Sequence, residues 1–181
     1  MARIGLDNLK YSLLDANGKV TTPASFGKAI DCKVSLEKNN ANLFADNSLV
    51  ETDYSLKSGT ITLTVDDDDD SIFAELLGHT VTTGETVRNA TDQAPYVAIG
   101  RILTKIVNSS YKYKVEFLSK VRFSDTMPDE ETKGESIDFK GVSVEGAVLI
   151  PADGVWSKTK TFKDRTEAEA YLTQLLTAPT I

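Results

Sequence analysis

The chain has 181 residues, of which 40% are hydrophobic, and its 27 acidic and 20 basic side chains give a formal net charge of −7. This length suits one domain, residues 1–181, with an ordinary hydrophobic core. The acidic charge argues against a protein that binds nucleic acid through its phosphates, and the single cysteine, Cys32, excludes an intrachain disulfide and argues against a metal cluster.

The sequence also lacks the marks of secretion, of membrane insertion and of common enzymes. Residues 1–7 contain no apolar run typical of a signal peptide, and no stretch is long and apolar enough to span a bilayer. There is no Gly-rich phosphate loop, no Gly-x-Ser-x-Gly and no His-Glu-x-x-His. We therefore expect a soluble protein that is not an enzyme, needs no cofactor and makes no membrane contact.

The first predicted element is a β-hairpin near the N-terminus. Apolar and polar residues alternate over residues 9–14, which predicts a strand. Asn17 followed by Gly18 favours a type I′ turn, because that turn needs positive φ at both central residues. The return strand is expected over residues 19–22, ending at Pro23.

A second strand is predicted over residues 29–36, where apolar and polar side chains alternate again. Cys32 lies on the apolar face, so we interpret it as a small core residue and not as a reactive thiol. The predicted apolar face carries Ile30, Cys32, Val34 and Leu36.

Residues 37–57, named the arm below, are polar and turn-prone, and their apolar residues follow no clean period. So long a segment without regular structure is unusual inside a compact domain and often has a function or a partner. Two interpretations remain open. The arm folds back over the core as a loop, or it is a docking arm whose Leu43, Phe44 and Leu49 need a second surface to cover them.

Residues 58–65 predict a strand with one apolar face and one hydroxyl-bearing face, because the side chains alternate with a period of two. The apolar face carries Ile61, Leu63 and Val65, and the other face Thr60, Thr62 and Thr64.

Five consecutive aspartates, named the acidic elbow, end this strand. Such a run repels itself and cannot be buried, and it places carboxylates near the N-terminus of a short helix predicted over residues 71–77, with Gly78 as its C′ residue. The run lacks the ligand spacing of an EF-hand, so only loose cation binding is expected. The acidic elbow comprises Asp66, Asp67, Asp68, Asp69 and Asp70.

His79 is the only histidine and follows the predicted helix. A lone histidine at this place is most often a surface residue that interacts with the negative end of the helix, so we expect no catalytic or ligand role for it. The threonine-rich residues 79–92 are predicted to be a loop with one short strand near residues 80–83.

The clearest hairpin has arms at residues 96–107 and 111–123, joined by a turn at residues 108–110. The apolar period slips at Leu118, which predicts a β-bulge. Aromatic residues are predicted on the face opposite the lysines, so a core face with a solvated or partner face is favoured over stacking with nucleic acid. The basic hairpin face comprises Arg101, Lys105, Lys112, Lys114, Lys120 and Arg122.

The last third of the chain predicts a charged loop over residues 124–135, a bent strand or pair of strands over residues 136–150, a turn and a final strand over residues 155–162. A helix follows over residues 165–177, with Asp164 and Glu167 as a capping box. Its apolar stripe is predicted to lie against the body of the subunit and carries Ala168, Tyr171, Leu172, Leu175 and Leu176.

These elements amount to about eight strands and two short helices, which predicts a mainly β, antiparallel sandwich or half-barrel with flanking helices. Several segments together resemble the major tail protein of long-tailed bacteriophages, the subunit of the non-contractile tail tube. The resemblance covers nearly the whole chain and is carried by MARIGLDNLKYSLLD, FGKAIDCKVSL, SGTITLTVDDDDDSIFAELLGH, APYVAIGRILTKIVNSSYKYKVEFLSKVRF and KGESIDF.

The resemblance implies a β-sandwich or half-barrel that assembles into hexameric rings, which stack into a hollow tube through which DNA passes without specific binding. It implies tape-measure and tail terminator or tip proteins as further partners, a place in the virion tail, and assembly in the host bacterial cytoplasm. It also places ring-stacking contacts in the arm and offers no catalytic residues. The same fold serves phage-tail-like bacteriocins and secretion tubes.

The residues themselves agree with an assembling protein. In a ring, the acidic elbow of one copy could meet the basic hairpin face of the next and fix the register of assembly. Alternatively, both groups face solvent within one subunit. In a third arrangement, the acidic elbow lines the lumen of the tube. A monomeric β-sandwich binding module remains the competing class, and it would show an exposed aromatic platform.

Overall fold

A computed structural model describes residues 2–66, 70–125 and 141–177, with the side chains of Ala2, Arg3 and Asp70 left aside. Predictions for Asp67, Asp68 and Asp69, for residues 126–140 and for the KGESIDF segment lie outside the described residues. The described elements are β1 (Ala2–Leu14), β2 (Val20–Ser25), β3 (Ala29–Lys38), β4 (Ala41–Ala45), β5 (Ser48–Asp53), β6 (Leu56–Val65), α1 (Asp70–Leu77), β7 (Thr80–Thr82), β8 (Glu85–Val87), β9 (Tyr96–Val107), β10 (Ser110–Ser124), β11 (Val142–Val148), β12 (Ser157–Phe162) and α2 (Arg165–Thr177).

The fold is mainly β: 61% of the described residues lie in strands, and two short helices accompany them. Every strand pairing in the described part of the chain is antiparallel. This confirms the predicted fold class. The prediction of about eight strands is too low, because the arm and the segment after α1 each form a small hairpin of their own.

Eight of the described strands form the main sheet, in the order β2-β1-β9-β10-β11-β6-β3, and β12 pairs with β10 as a branch. The branch exists because β10 is long: residues 113–118 pair with β12 and residues 121–124 pair with β11. The predicted bulge is confirmed, since the register of β10 on β9 shifts between Leu118 and Val121. The sheet curls so that β3 comes back into contact with β1.

The sheet has a core on each face, because alternate side chains of β9 and β10 point to opposite sides. One core contains Ile61, Leu63 and Val65 of β6, as their alternation predicts, together with Leu76 and Leu77 of α1. The other core lies under α2 and contains Ala98, Ile102, Val115, Phe117, Ala168, Leu172 and Leu176.

Both predicted helices are confirmed, and each has the predicted cap at one end. Gly78 has a φ of 78° and the N–H of His79 donates to the carbonyl of Ala74 (2.8 Å), which closes α1 with a Schellman motif. A carboxylate oxygen of Asp164 accepts the N–H of Thr166 at 2.7 Å and caps the start of α2. The apolar stripe of α2 faces the sheet, with Tyr171 and Leu175 at its half-buried margin.

The predicted type I′ turn at Asn17 and Gly18 is wrong. Only Gly18 has positive φ (75°), and residues 15–19 form a longer loop. The reason is local: the Asp15 carboxylate accepts the N–H groups of Asn17 and Lys19, both at 2.8 Å, and these bonds hold a different turn. β2 also runs past Pro23 as far as Ser25, which an edge strand tolerates.

The predicted apolar face of β3 is only half right. The register of β3 on β6 shifts between Ala29 and Asp31, so Ile30 turns outward and is 57% exposed. Leu36 is exposed as well, while Cys32 and Val34 pack against the core. In the described part of the chain, neither helix is long and apolar enough to cross a membrane.

Candidate functional site

The arm is a regular β-hairpin, which corrects the prediction that it lacks regular structure. β3 and β6 lead into it, and the N–H of Asn39 donates to the carbonyl of Ser55 at 2.8 Å across its base. β4 and β5 then pair through a two-residue turn, in which Asp46 and Asn47 have φ values of 49° and 61°. The apolar period was unclear because the register shifts between Leu43 and Phe44.

The arm does not fold back over the core. Every residue from 35 to 55 is exposed. Leu43, Phe44 and Leu49 are 58%, 65% and 54% exposed, and Val50 and Tyr54 are similarly open. A patch of this kind is typical of a surface that binds a partner. The docking function of the arm stays a prediction.

The apolar residues of the arm lie on both faces of its hairpin. Phe44 and Leu49 are directly opposite each other and so share one face, whereas Leu43 is paired with Glu51 and points to the other. A side-chain hydrogen bond of 2.5 Å from Thr52 to Asn42 links the two strands. The hairpin therefore presents apolar side chains on two sides while holding its own shape.

The basic hairpin face is divided into separate parts. Arg101 contacts one carboxylate oxygen of Glu116 through Nε (3.0 Å) and Nη2 (2.7 Å), and Lys114 binds the other oxygen. The remaining Nη1 of Arg101 donates to the carbonyl of Cys32 at 2.5 Å. Arg101 and Lys114 thus share the carboxylate of Glu116 as a partner inside the subunit, and Arg101 fastens the free edge of β3 to β9.

Lys120 and Arg122 lie on an aromatic ring, contrary to the prediction that lysines and aromatics occupy opposite faces. Their charged groups are 4.1 Å and 5.3 Å from the centroid of the Tyr96 ring, since the bulge in β10 turns this part of the strand. Lys105 and Lys112 lie directly opposite each other, and among the described residues neither forms an ion pair.

Asp66 is the member of the acidic elbow whose side chain the structure describes. It is joined to Lys28, through a hydrogen bond from the N–H of Lys28 to Oδ1 (3.1 Å) and a 3.7 Å contact of Nζ with Oδ2. The backbone N–H of Asp66 also donates to the carbonyl of Lys28 at 3.0 Å. Asp66 therefore closes the end of the β3–β6 pair within its own subunit. The partner of the rest of the acidic elbow stays a prediction.

The Cys32 side chain borders a cavity of about 210 Å³ between β3, β9, β10 and β12. Burial raises the pKa of the Cys32 thiol, although Arg101 opposes the shift. A raised pKa keeps the thiol protonated and weakens it as a nucleophile. This agrees with a packing role for Cys32, as its position in the strand pattern predicts.

His79 is buried, which corrects the prediction of a surface histidine. Its side chain is 4% exposed and lies between the carboxylates of Asp92 and Asp125. The backbone N–H of Asn89 and the His79 ring both donate to Asp92, and these hydrogen bonds lower the pKa of the Asp92 carboxyl. No pattern around the lone histidine indicates these partners, because both come from other parts of the chain.

We expect Glu116→Gln to destabilise the fold by about 1–3 kcal/mol at neutral pH, because Arg101 and Lys114 lose their charged partner. Burial acts to raise the pKa of Glu116, but hydrogen bonds from Lys114 and Arg101 outweigh it, so the pKa lies below its usual value. The stabilisation is thus complete above the unfolded-state pKa of about 4.3 and is lost as pH falls through the folded-state value.

Urea unfolding at a series of acid pH values measures this loss, and the Glu116→Gln curve should depend less on pH than that of the parent chain. Glu145→Gln, at an exposed position of β11, is the matched control. Equal pH dependence in the Glu116→Gln variant and the parent would contradict the prediction.

No protein-family model matches this chain, and no curated protein matches it.

Proposed function

We propose that this chain is a structural subunit that polymerises into the hollow tail tube of a long-tailed bacteriophage, as stacked hexameric rings. The observation that carries the proposal is the arm, a preformed hairpin with apolar side chains on both faces and with every residue of β4 and β5 exposed. Such a hairpin is ready to be covered by another copy of the chain.

The energetics favour covering the arm. Moving a leucine or phenylalanine side chain from water into a contact contributes about 1.5–3 kcal/mol, and Leu43, Phe44 and Leu49 are more than half exposed. Because the hairpin already has its shape, little conformational entropy is lost on docking. A contact between the arm and a different surface of the next copy is heterologous, and it continues from copy to copy as a tube requires.

The remaining parts of the proposal follow from the resemblance and the charge. Tape-measure and terminator or tip proteins would bind the ends or interior of the tube in the virion tail, and assembly would take place in the bacterial host. A charge of −7 on each subunit would repel DNA from the wall, so that DNA passes without specific binding. A tube subunit of a phage-tail-like bacteriocin particle is an alternative, and so is a monomeric β-sandwich binding module.

Replacing Leu43, Phe44 and Leu49 together with serine tests the proposal. We expect the triple variant to fold as stably as the parent, since these side chains are exposed in the subunit, but to form no long tubes in negative-stain electron micrographs. The matched control is Glu51→Ser, which changes an exposed residue of the same hairpin and keeps its apolar side chains and the hydrogen bond from Thr52 to Asn42.

Two results would contradict the proposal. The first is a triple variant that still forms tubes of the parental length. The second is a parent chain that remains a monomer in analytical ultracentrifugation at high concentration, which would favour the binding module instead.

A further inference from the structure

His79 has two ring nitrogens in different surroundings. Nδ1 lies 2.8 Å from Oδ2 of Asp92 in good hydrogen-bond geometry. Nε2 lies 3.2 Å from Oδ2 of Asp125, yet this contact does not have the geometry of a hydrogen bond, and Nε2 is buried without a hydrogen-bond partner among the described residues. A buried polar atom without a partner is uncommon and calls for a physical reason.

The contact with Asp92 fixes which nitrogen carries the proton. A carboxylate only accepts hydrogen bonds, so Nδ1 of His79 is the donor to Asp92. In the neutral ring, Nε2 then carries a lone pair. Asp92 is itself held in place, because Oδ2 also accepts the N–H of Asn89 at 2.8 Å. Histidines that bind a metal through one nitrogen usually donate the N–H of the other nitrogen to such a carboxylate.

The separation of Nε2 and the Asp125 oxygen suits one shared cation. A lone pair and a carboxylate oxygen 3.2 Å apart repel each other unless a proton or a metal ion lies between them. The contact does not have the geometry of a hydrogen bond, which disfavours a proton and favours a larger cation. Nitrogen and oxygen ligands bind Zn²⁺ at about 2.0–2.2 Å, so two ligands at tetrahedral or square angles are roughly 2.8–3.6 Å apart. The observed distance falls within that range.

The surrounding cavity has room for the ion and its water. It measures about 340 Å³ and lies between the end of α1, residues 89–94 and the end of β10. Arg122, the one cationic side chain among its described lining residues, donates through Nε to the carbonyl of Ala94 and contacts the Tyr96 ring. Asp125 is 43% exposed, so its carboxylate gives the site access to solvent.

We propose that Nε2 of His79 and the carboxylate of Asp125 bind a divalent first-row transition metal ion, with Asp92 orienting the imidazole. Imidazole with carboxylate suits Zn²⁺, Co²⁺ or Ni²⁺, whereas Ca²⁺ and Mg²⁺ prefer oxygen ligands alone. The described residues contain no group of three or more candidate protein ligands, so water completes the coordination. The ion would fasten the end of β10 to the end of α1. This site is independent of the proposed tube.

The single histidine of the chain makes the test direct, because the imidazole nitrogens give one set of NMR signals. The full chain, labelled with ¹⁵N and treated with a chelator, is titrated with ZnCl₂. We expect the Nε2 signal to move with the added metal while Nδ1 keeps its proton, and calorimetry to show one ion per chain. Asp125→Asn should weaken Zn²⁺ binding by more than about tenfold. Removing a residue that only hydrogen-bonds a metal ligand already costs about 10- to 100-fold in affinity, and Asp125 is proposed to bind the ion directly.

The control is Asp31→Asn, which removes the same charge from an exposed position on β3. It should leave the affinity for Zn²⁺ unchanged. If Asp125→Asn and His79→Gln both bind Zn²⁺ as tightly as the parent chain does, the ion binds elsewhere, for example at the acidic elbow, and the proposal is overturned. An Nε2 signal of a protonated nitrogen that ZnCl₂ does not move would also overturn it, and that measurement needs no variant.

Discussion

Leu172→Ala is expected to lower the free energy of unfolding by about 2–5 kcal/mol. Leu172 is 1% exposed and packs against β9 and β10 in the second core. Its removal leaves a cavity that the surrounding strands cannot close, because they are held by the pairing of the main sheet. Urea unfolding followed by circular dichroism measures the change.

The matched control is Leu175→Ala, the same substitution three residues further along the helix. Leu175 is only partly buried at the edge of the stripe, so its loss should be clearly smaller. Since both variants change helix propensity equally, the difference reports burial alone. Equal losses at the two positions, or parental stability in both variants, would mean that α2 is not packed on the sheet as described.

Gly100→Ala is expected to destabilise the chain by about 1–3 kcal/mol through overpacking. A Cβ atom added to Gly100 would lie 2.1 Å from Cδ1 of Leu172, far inside van der Waals contact. Leu172 has no free space in which to rotate away, because it is fully enclosed. The absence of a side chain at Gly100 therefore allows α2 to pack close to β9.

Gly5→Ala is the control for the change of residue type, since a Cβ at Gly5 would meet nothing within 4 Å. It should be neutral or slightly stabilising. The double variant Gly100→Ala with Leu172→Ala should lose less stability than the sum of the single variants, because the new methyl group fills part of the space that Leu172 leaves. Additive losses would show that the two positions do not share a contact.

Much of the fold follows from local patterns in the sequence. The alternation of Ile61, Leu63 and Val65 located the buried face of β6, and the slip at Leu118 located the bulge in β10. The caps at Asp164 and Gly78 located two helix ends. These features depend on a residue and its near neighbours, and a period of two or of 3.6 residues already determines which side chains share a face.

The candidate sites depend on partners that are distant along the chain. The sequence marked Leu43, Phe44 and Leu49 as residues in need of a partner, but only the tertiary structure decided that the arm is a hairpin that stands away from the core. The sequence alone could not predict the contact of Arg101 with the carbonyl of Cys32, because the two residues are 69 positions apart. The basic hairpin face was therefore predicted as one surface, although ion pairs and ring contacts divide it.

His79 shows the same limit most clearly. The sequence by itself determined a mainly β chain with two capped helices and an apolar arm, because strand period, capping and composition are properties of short segments. Only the tertiary structure decided that a histidine after a helix is buried between Asp92 and Asp125. The physical reason is that burial and charge pairing are set by which segments meet in space, and the packing of the whole sheet determines that meeting.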